Sequence, residues 1–242
     1  MRIIDDGFVV GGFTSGESGI WFRNEPTDPP TQDYISLSEK LKTPLTNIVR
    51  PYQANASKVA IVGIEHGGSG VIKENDLYKT DGLVTSQVGL ALSVIAADCV
   101  PIYIYDECSG AIGLLHCGRQ SVVGELIHNG IECMKSLGAL PEMIKITLGP
   151  HICDECYEIG EEIREEFSHS FSTEELDQII HLNNGRLSLN MMNAITIKLM
   201  RERIDLGNIT CIKNCTCHEK GFYSFRRGDR EKQNLAYLMI RH

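Results

Sequence analysis

One stretch, LSVIAADCVPIYIYDECSGAIGLLHCGR at residues 92–119, constrains the fold more than any other part of this chain. A predicted strand at 93–96 delivers Cys99 to its carboxyl end. After a further extended run and a turn, a second predicted strand at 111–115 ends at His116. The two apolar runs can be neighbouring strands, so the fold is expected to bring a thiol and an imidazole to one place.

A cysteine and a histidine at adjacent strand ends support two kinds of chemistry. A thiolate and a neutral imidazole are both good zinc ligands, and a zinc site with three protein ligands and one open position is catalytic. Without a metal, Cys99 could be a nucleophile and His116 the base that activates it. The alternative is that Cys99 is an ordinary buried cysteine. The acidic neighbour Asp98 and Arg119, just beyond His116, favour a functional site.

Composition narrows the class of protein. The 242 residues are expected to form one domain, residues 1–242, because no composition shift marks a linker. No apolar run approaches the roughly 18 residues of a membrane span, and the start of the chain lacks the pattern of a secretion signal. Nine scattered cysteines indicate reduced thiols in a cytoplasm. A net charge of -9 argues against a nucleic-acid partner.

The remaining patterns predict helices and strands in mixed order. Apolar spacing predicts helices, and runs rich in Val and Ile predict strands. A Pro- and Asp-rich surface loop is expected at 24–33. The basic cluster around Arg226 also fits a solvated helix start, and aromatic alternation at 222–225 resembles a strand. The predicted helices are 34–41, 121–137 and 187–203, and the predicted strands are 59–64, 144–148 and 209–212.

A third histidine, His66, follows the predicted strand KVAIVGI and precedes Gly67-Gly68. A histidine at a strand end, with glycines that let the backbone fold away, could complete a metal site with Cys99 and His116. The alternative is a polar residue that opens a flexible turn.

A Cys-x-x-Cys pair, Cys153 and Cys156, suggests either a zinc ribbon or a redox motif. A zinc ribbon needs a second pair, and the available partner is CTCH at residues 215–218, with one residue between its cysteines instead of two. The spacing therefore favours buried or free thiols over a structural zinc.

Seven short motifs are spread along the chain: DGLVT (81–85), ADCVP (97–101), HCG (116–118), GPHIC (149–153), CYEIG (156–160), CT (215–216) and FYSFRR (222–227). In this order, and from about Gly7 to the end of the chain, they resemble one family, the bacterial laccase-domain proteins, also called multicopper polyphenol oxidoreductases. Many members of that family are regarded as purine nucleoside phosphorylases with adenosine deaminase activity.

The resemblance implies a mixed α/β (α+β) fold, a single-domain layered sandwich of mixed β-sheets flanked by helices, with a metal held by His, Cys and His. Cys99 matches the family cysteine and His116 the second family histidine. The first family histidine lies in a Gln-x-His-Gly segment, where this chain has Asn55. Asparagine is a weak zinc ligand, so His66 is the candidate third ligand. The family's Trp after His-x-Gly is replaced by Arg119.

The implied activity is metal-dependent phosphorolysis of purine nucleosides (adenosine, inosine or methylthioadenosine), with deamination of adenosine. Zinc would lower the pKa of a water, Asp98 could orient a ligand or move a proton, and Arg119, Arg226 and Arg227 suit phosphate or ribose oxygens. Three alternatives stay open. They are a copper-dependent oxidase of phenols, a Cys99–His116 hydrolase, and a protein that binds nucleosides without turnover.

Overall fold

Strands dominate the computed structural model, which describes residues 1–14, 20–21, 31–183 and 185–241. The predicted loop at 24–33 lies mostly outside these residues. The strands are β1 (Arg2–Asp5), β2 (Val9–Phe13), β3 (Ile20–Trp21), β4 (Ile48–Val49), β5 (Val59–Ile61), β6 (Gly82–Thr85), β7 (Ala91–Ala96), β8 (Val100–Asp106), β9 (Ala111–Cys117), β10 (Lys145–Leu148), β11 (Glu158–Ile159), β12 (Ile180–Asn183), β13 (Arg186–Leu189), β14 (Ile209–Cys211) and β15 (Lys232–Ile240). The helices are α1 (Gln32–Leu41), α2 (Arg119–Val123), α3 (Leu126–Ser136), α4 (Glu161–Ser168), α5 (Thr173–Ile179) and α6 (Met191–Arg201).

These strands form two large mixed sheets and one small antiparallel sheet. Sheet I has the order β1-β2-β15-β7-β4, and β3 also pairs with β15. Sheet II has the order β14-β10-β8-β9-β6-β5, and sheet III has the order β11-β13-β12. Two pairs in sheet II are parallel, β10 with β14 and β5 with β6.

Strict alternation along the strands explains how the sheets stack. Successive side chains of a strand point to opposite faces. In β15, Ala236 and Leu238 enter the core between sheets I and II, whereas Leu235 and Tyr237 pack toward α1 on the outer face. Sheet I therefore packs against sheet II on one face and against α1 on the other.

Sheet II alternates in the same way. Tyr103 of β8 points into the core between the sheets, where its hydroxyl donates to the Gly12 carbonyl at 2.8 Å. Its neighbours Ile102 and Ile104 pack on the opposite side with Ile131 of α3 and other helix residues. The result is the layering of mixed sheets flanked by helices that the sequence predicts.

Two predicted helices have different bounds from those expected. The helix at 121–137 is split into α2 and α3 at Gly124, whose backbone is extended, with a ψ of -157°. The Ser57 hydroxyl accepts a hydrogen bond from the next amide, Glu125, at 3.1 Å. The prediction of a helix over 187–203 is wrong at its start. Residues 186–189 form β13, which pairs with both β11 and β12, and the helix α6 begins only at Met191.

The C-terminal region also differs from expectation. The predicted strand at 222–225 is irregular backbone that leads into a turn, and the Asp229 carboxylate accepts a hydrogen bond from the Ser224 amide at 2.9 Å. The basic cluster does not begin a helix, because it leads into β15, the central strand of sheet I. The apolar part of β15 is buried on both faces, so it lacks the alternation of polar and apolar residues that identifies a half-exposed strand. None of the helices in the described ranges combines the length and apolarity required to cross a bilayer.

Candidate active site

Strand register brings Cys99 to His116. Val100 of β8 lies opposite Cys117 of β9, and Pro101 lies opposite His116. Cys99 directly precedes β8, so it reaches the end of β9 beside His116. The neighbouring strands are thus β8 and β9. The strand predicted to deliver Cys99, β7, belongs to sheet I and stacks on β9 instead of pairing with it.

A pocket of about 450 Å³ opens at this point. Its polar lining includes both predicted partners, Cys99 and His116. The other polar lining residues are Arg50, Gln53, Asn55, Asp98, Arg119, Arg226 and Gln233. Its apolar and aromatic walls are formed by Pro51, Tyr52, Ile95, Ala97, Ile152, Tyr157, Met191 and Phe225. The pocket can therefore hold a ligand that has both a flat apolar part and an anionic part.

Asp81 organises the inner end of the pocket. Its carboxylate is fully buried and lies 2.8 Å from Nδ1 of His116. The same carboxylate accepts the backbone amides of Ala54, Asn55 and Ala56 at 2.9, 3.1 and 2.8 Å. One side chain thus fixes both the His116 ring and the loop that carries Asn55.

Burial and pairing set the protonation of His116. Burial disfavours its charged form, but the interaction with Cys99 and the hydrogen bond to Asp81 outweigh burial and raise the pKa of His116 to about 10. Burial likewise disfavours the Asp81 carboxylate, but the hydrogen bond with His116 and the backbone amides lower the pKa of Asp81. In the metal-free protein near neutral pH, His116 is therefore an imidazolium and Asp81 a carboxylate.

Asp98 holds Cys99 in place through a strained backbone. Its φ of 91° lies in the left-handed region that side chains other than glycine rarely adopt. Both carboxylate oxygens are occupied, one by the Thr216 hydroxyl at 2.7 Å and the other by the Arg226 amide at 2.7 Å. Its carbonyl accepts the Ile152 amide at 3.1 Å.

Asn55, and not His66, reaches the pair. A Cβ on Gly118 would lie 2.8 Å from the Asn55 Oδ1 and 3.1 Å from the Cys99 sulfur, so both groups lie against this glycine. His66 is not among the pocket residues. It ends a 3-10 turn after β5, at the edge of sheet II, and its Nδ1 faces the Gly63 amide and Glu65. The expectation that His66 completes the ligand set is corrected on this geometry.

The three arginines have different positions. Arg119 and Arg226 line the pocket. Arg119 is paired with Glu166, and the Arg226 guanidinium lies over the Tyr157 ring at 5.1 Å.

Arg227 faces away from the pocket, which corrects its expected role toward phosphate or ribose. One terminal nitrogen donates to the carbonyls of Thr216 and Cys217, both at 3.0 Å. The other pairs with Asp229. Arg227 therefore holds the loop 216–222 together.

Two pocket residues, Cys99 and His116, are strong zinc ligands, so the pocket fits a zinc ion. Zinc-binding histidines commonly hold a carboxylate through the second ring nitrogen, as His116 holds Asp81. Cys99 supplies a thiol next to that ring. Asn55 offers only a neutral amide oxygen at the third position, which weakens the set.

Several pocket residues carry no strong signal in the sequence. Asp81 opens the DGLVT motif, but its partner His116 is 35 residues away, so its role depends on the β6–β9 pairing. The Gln53 side chain pairs with the backbone of Ile95: its Nε2 donates to the Ile95 carbonyl at 2.7 Å, and its Oε1 accepts from the Ile95 amide at 2.8 Å. Tyr157 and Phe225 enter the pocket from turns far apart in sequence. The sequence signals for these residues are the motifs that contain them: DGLVT, the Gln-x-Asn segment, CYEIG and FYSFRR.

The fold and the pocket define a class: a layered mixed α+β protein with a cysteine–histidine pair at the end of two paired strands. The family model for multi-copper polyphenol oxidoreductase laccase matches residues 23–241, and the chain belongs to this family. The family membership and the fold class expected from the motifs are confirmed.

Relatives of this chain carry enzyme names. Adenosine deaminase RL5, from an unknown prokaryotic organism, is 29% identical over 197 residues, which are 80% of this chain and 74% of the relative. A purine nucleoside phosphorylase, SCO2081 of Streptomyces coelicolor, is 30% identical over 184 residues, 76% and 71% of the two chains. A purine nucleoside phosphorylase of Deinococcus radiodurans is 33% identical over 150 residues, 62% of this chain and 56% of that one.

The crystal structure of YlmD from Geobacillus stearothermophilus superposes with a TM-score of 0.85 at 22% identity and covers 97% of this chain and 92% of that one. This likeness shows a common fold.

Proposed function

We propose that the pocket cleaves purine nucleosides with phosphate and also deaminates adenosine. The observation that carries the proposal is the joint placement of the Cys99–His116 pair, two arginines and aromatic walls around one cavity of about 450 Å³. The names of the relatives, purine nucleoside phosphorylase and adenosine deaminase, support the same chemistry. The reaction would begin with adenosine, inosine or methylthioadenosine and phosphate.

In this proposal the purine lies against Tyr157 and Phe225, and the phosphate against Arg119 and Arg226. Guanidinium groups suit phosphate oxygens because their donors match them in pairs. A phosphate oxygen attacks C1′ of the ribose, the bond to the purine nitrogen breaks, and ribose 1-phosphate forms. The departing purine nitrogen takes its proton from water, because His116, as a ligand of the proposed metal with its Nδ1 held by Asp81, has no free ring proton to give.

Asp98 acts as a positioning residue in this scheme. Its two carboxylate oxygens are already engaged, so its contribution is to hold Cys99 and the Arg226 backbone in place. Asp81 keeps the His116 ring oriented through its contact with Nδ1.

Zinc is the proposed metal, held by Cys99 and His116 with Asn55 as the weak third ligand. When bound there it supplies Lewis acidity at neutral pH, which serves the attack of water on C6 of adenosine and the loss of ammonia. Copper is the alternative metal, and phenol oxidation the alternative activity. The relatives' names support that alternative less than the nucleoside chemistry.

A second candidate function rests on one observation. Cys99 and His116 line the same pocket, and Asp81 lies 2.8 Å from the His116 Nδ1, an order of side chains that suits activation of a cysteine nucleophile. A metal-free hydrolase of amides or esters would use it. This candidate predicts single-site alkylation of Cys99 that chelators do not slow.

We also propose that the protein works in a cytoplasm, because all nine of its cysteines are unpaired in the structure.

The first experiment measures purine release from adenosine and inosine, with and without phosphate, on samples of known metal content. Phosphate-dependent release that falls at least 100-fold in Cys99→Ala, but not in the exposed-cysteine control Cys108→Ala, is the expected result. Arg226→Lys is expected to raise the KM for phosphate. Intact phosphorolysis and deamination in Cys99→Ala would refute the mechanism.

A further inference from the structure

Two turns beside the pocket bring four metal-binding side chains together. A 3-10 turn at Asp154–Cys156 carries Cys153 and Cys156, and a later turn carries Cys215 and His218. The ligand atoms of these four side chains all lie within 4.8 Å of one another. The sequence favours separate thiols here, because the second half lacks a Cys-x-x-Cys pair. The structure shows that the second half is instead Cys-x-x-His.

We propose that this cluster binds a structural zinc ion, separate from the metal of the pocket. Three thiolates and one imidazole are a standard set for a closed, tetrahedral zinc site. Zinc–sulfur and zinc–nitrogen bonds of about 2.3 and 2.0 Å place tetrahedral ligand atoms roughly 3.5–3.8 Å apart. The Cys153 sulfur and the His218 Nδ1 are 3.7 Å apart.

Backbone donors already surround the central sulfur. The amides of Cys153 and His218 donate to the Cys215 sulfur at 3.3 and 3.4 Å. Amide donors favour a thiolate, which is the form that binds zinc. Cys215 is buried, whereas His218 is exposed and closes the cluster toward solvent.

The fold holds the two turns side by side before any ion is present. They follow β10 and β14, which are parallel neighbours in sheet II, so their carboxyl ends lie at the same edge. A bridge between His151 and Cys215 continues this pairing, and the Thr216 amide donates to the His151 carbonyl at 2.9 Å. Strand pairing therefore brings Cys153 and Cys215 together although they lie 62 positions apart in the sequence.

The cluster also adjoins the pocket. Ile152 and Tyr157, which flank the first turn, line the pocket wall. Thr216, next to Cys215, binds the Asp98 carboxylate that positions Cys99. A zinc ion here would fix the backbone that shapes the pocket without touching a substrate.

A competing outcome is redox chemistry. The Cys-x-x-Cys spacing of Cys153 and Cys156 also suits a disulfide. The test must separate a zinc thiolate site from an oxidised pair.

The experiment uses the full chain in a Cys99→Ala background, which removes the thiol of the pocket. Zinc is measured by elemental analysis, and the protein is then loaded with cobalt(II) for absorption spectroscopy. The expected result is about one zinc per chain and a tetrahedral cobalt spectrum with strong thiolate charge-transfer bands. Adding Cys156→Ser is expected to lower zinc affinity at least tenfold, and the matched control Cys133→Ser, a half-buried cysteine of α3, is expected to change nothing.

Equal zinc affinity in the Cys156→Ser and Cys133→Ser samples would overturn the proposal. So would the absence of zinc in the Cys99→Ala background, or a Cys153–Cys156 disulfide found by mass spectrometry in protein purified without oxygen. If Cys156→Ser fails to fold, His218→Ala changes an exposed ligand, and an unchanged cobalt spectrum there would also count against the site. None of these readouts depends on nucleoside turnover.

Discussion

Replacing Asp81 by alanine tests the side chain that fixes both the His116 ring and the loop 54–56. The substitution removes the acceptor of four hydrogen bonds, from His116 and from three backbone amides of the loop 54–56. Hydrogen bonds to charged groups contribute about 1.5–3 kcal/mol each, which gives an upper bound of roughly 6–12 kcal/mol.

The expected loss is smaller than this bound, because part of the loop can return to water. Ala54 and Asn55 are exposed, so their amides can be hydrated, whereas the His116 ring is buried. We therefore expect Asp81→Ala to lower the free energy of unfolding by about 3–5 kcal/mol. For a chain of this size this corresponds to a fall in Tm of about 10 °C.

The assay is urea unfolding of the metal-free, reduced protein followed by circular dichroism. The midpoint is expected to fall at an unchanged m-value. The lowered pKa of Asp81 means that its contribution is present above about pH 4 and is lost as pH falls through that lowered pKa, so the difference from wild type shrinks in acid. The control is Asp177→Ala, an exposed aspartate of α5. An Asp81→Ala protein within about 1 kcal/mol of this control would refute the reasoning.

Three further predictions concern the pocket and its surroundings. Asn55→His is expected to tighten zinc binding at least tenfold in a chelator competition, because imidazole is the stronger ligand and histidine tolerates the φ of 53°; unchanged affinity would place residue 55 away from the ion. Arg227→Ala is expected to lower the free energy of unfolding by about 2 kcal/mol in urea while the KM for phosphate stays constant, whereas a raised KM would put its guanidinium in the pocket. In metal-free protein, the stabilisation from His116, relative to His116→Gln, is expected to be full below pH about 6.5 and lost as pH rises through about 10, and a pH-independent difference would contradict the raised pKa.

The sequence by itself determined the local elements and the identity of the central pair. Apolar runs bounded by turn residues located β8 and β9, and apolar spacing located α1, because these patterns depend only on neighbouring residues. Cys99 and His116 were found because each is a reactive side chain at a strand end. The ordered motifs added the family, and with it the layered fold. They also identified Asn55 as a departure from the family histidine.

Tertiary structure alone decided which distant groups meet. Asp81 reaches His116 only because β6 pairs with β9, and the direction of the Arg227 side chain is set by the carbonyls of its own loop. The prediction that His66 is a metal ligand was wrong because residues 64–66 form a 3-10 turn, which the apolar pattern does not indicate. In this turn the His66 ring accepts a hydrogen bond from the Gly63 amide. The Cys153 and Cys215 turns meet because β10 and β14 are parallel neighbours. Contacts across such separations follow from strand order and register. The packing energy of the whole chain selects that order and register, so no short stretch of the sequence reveals them.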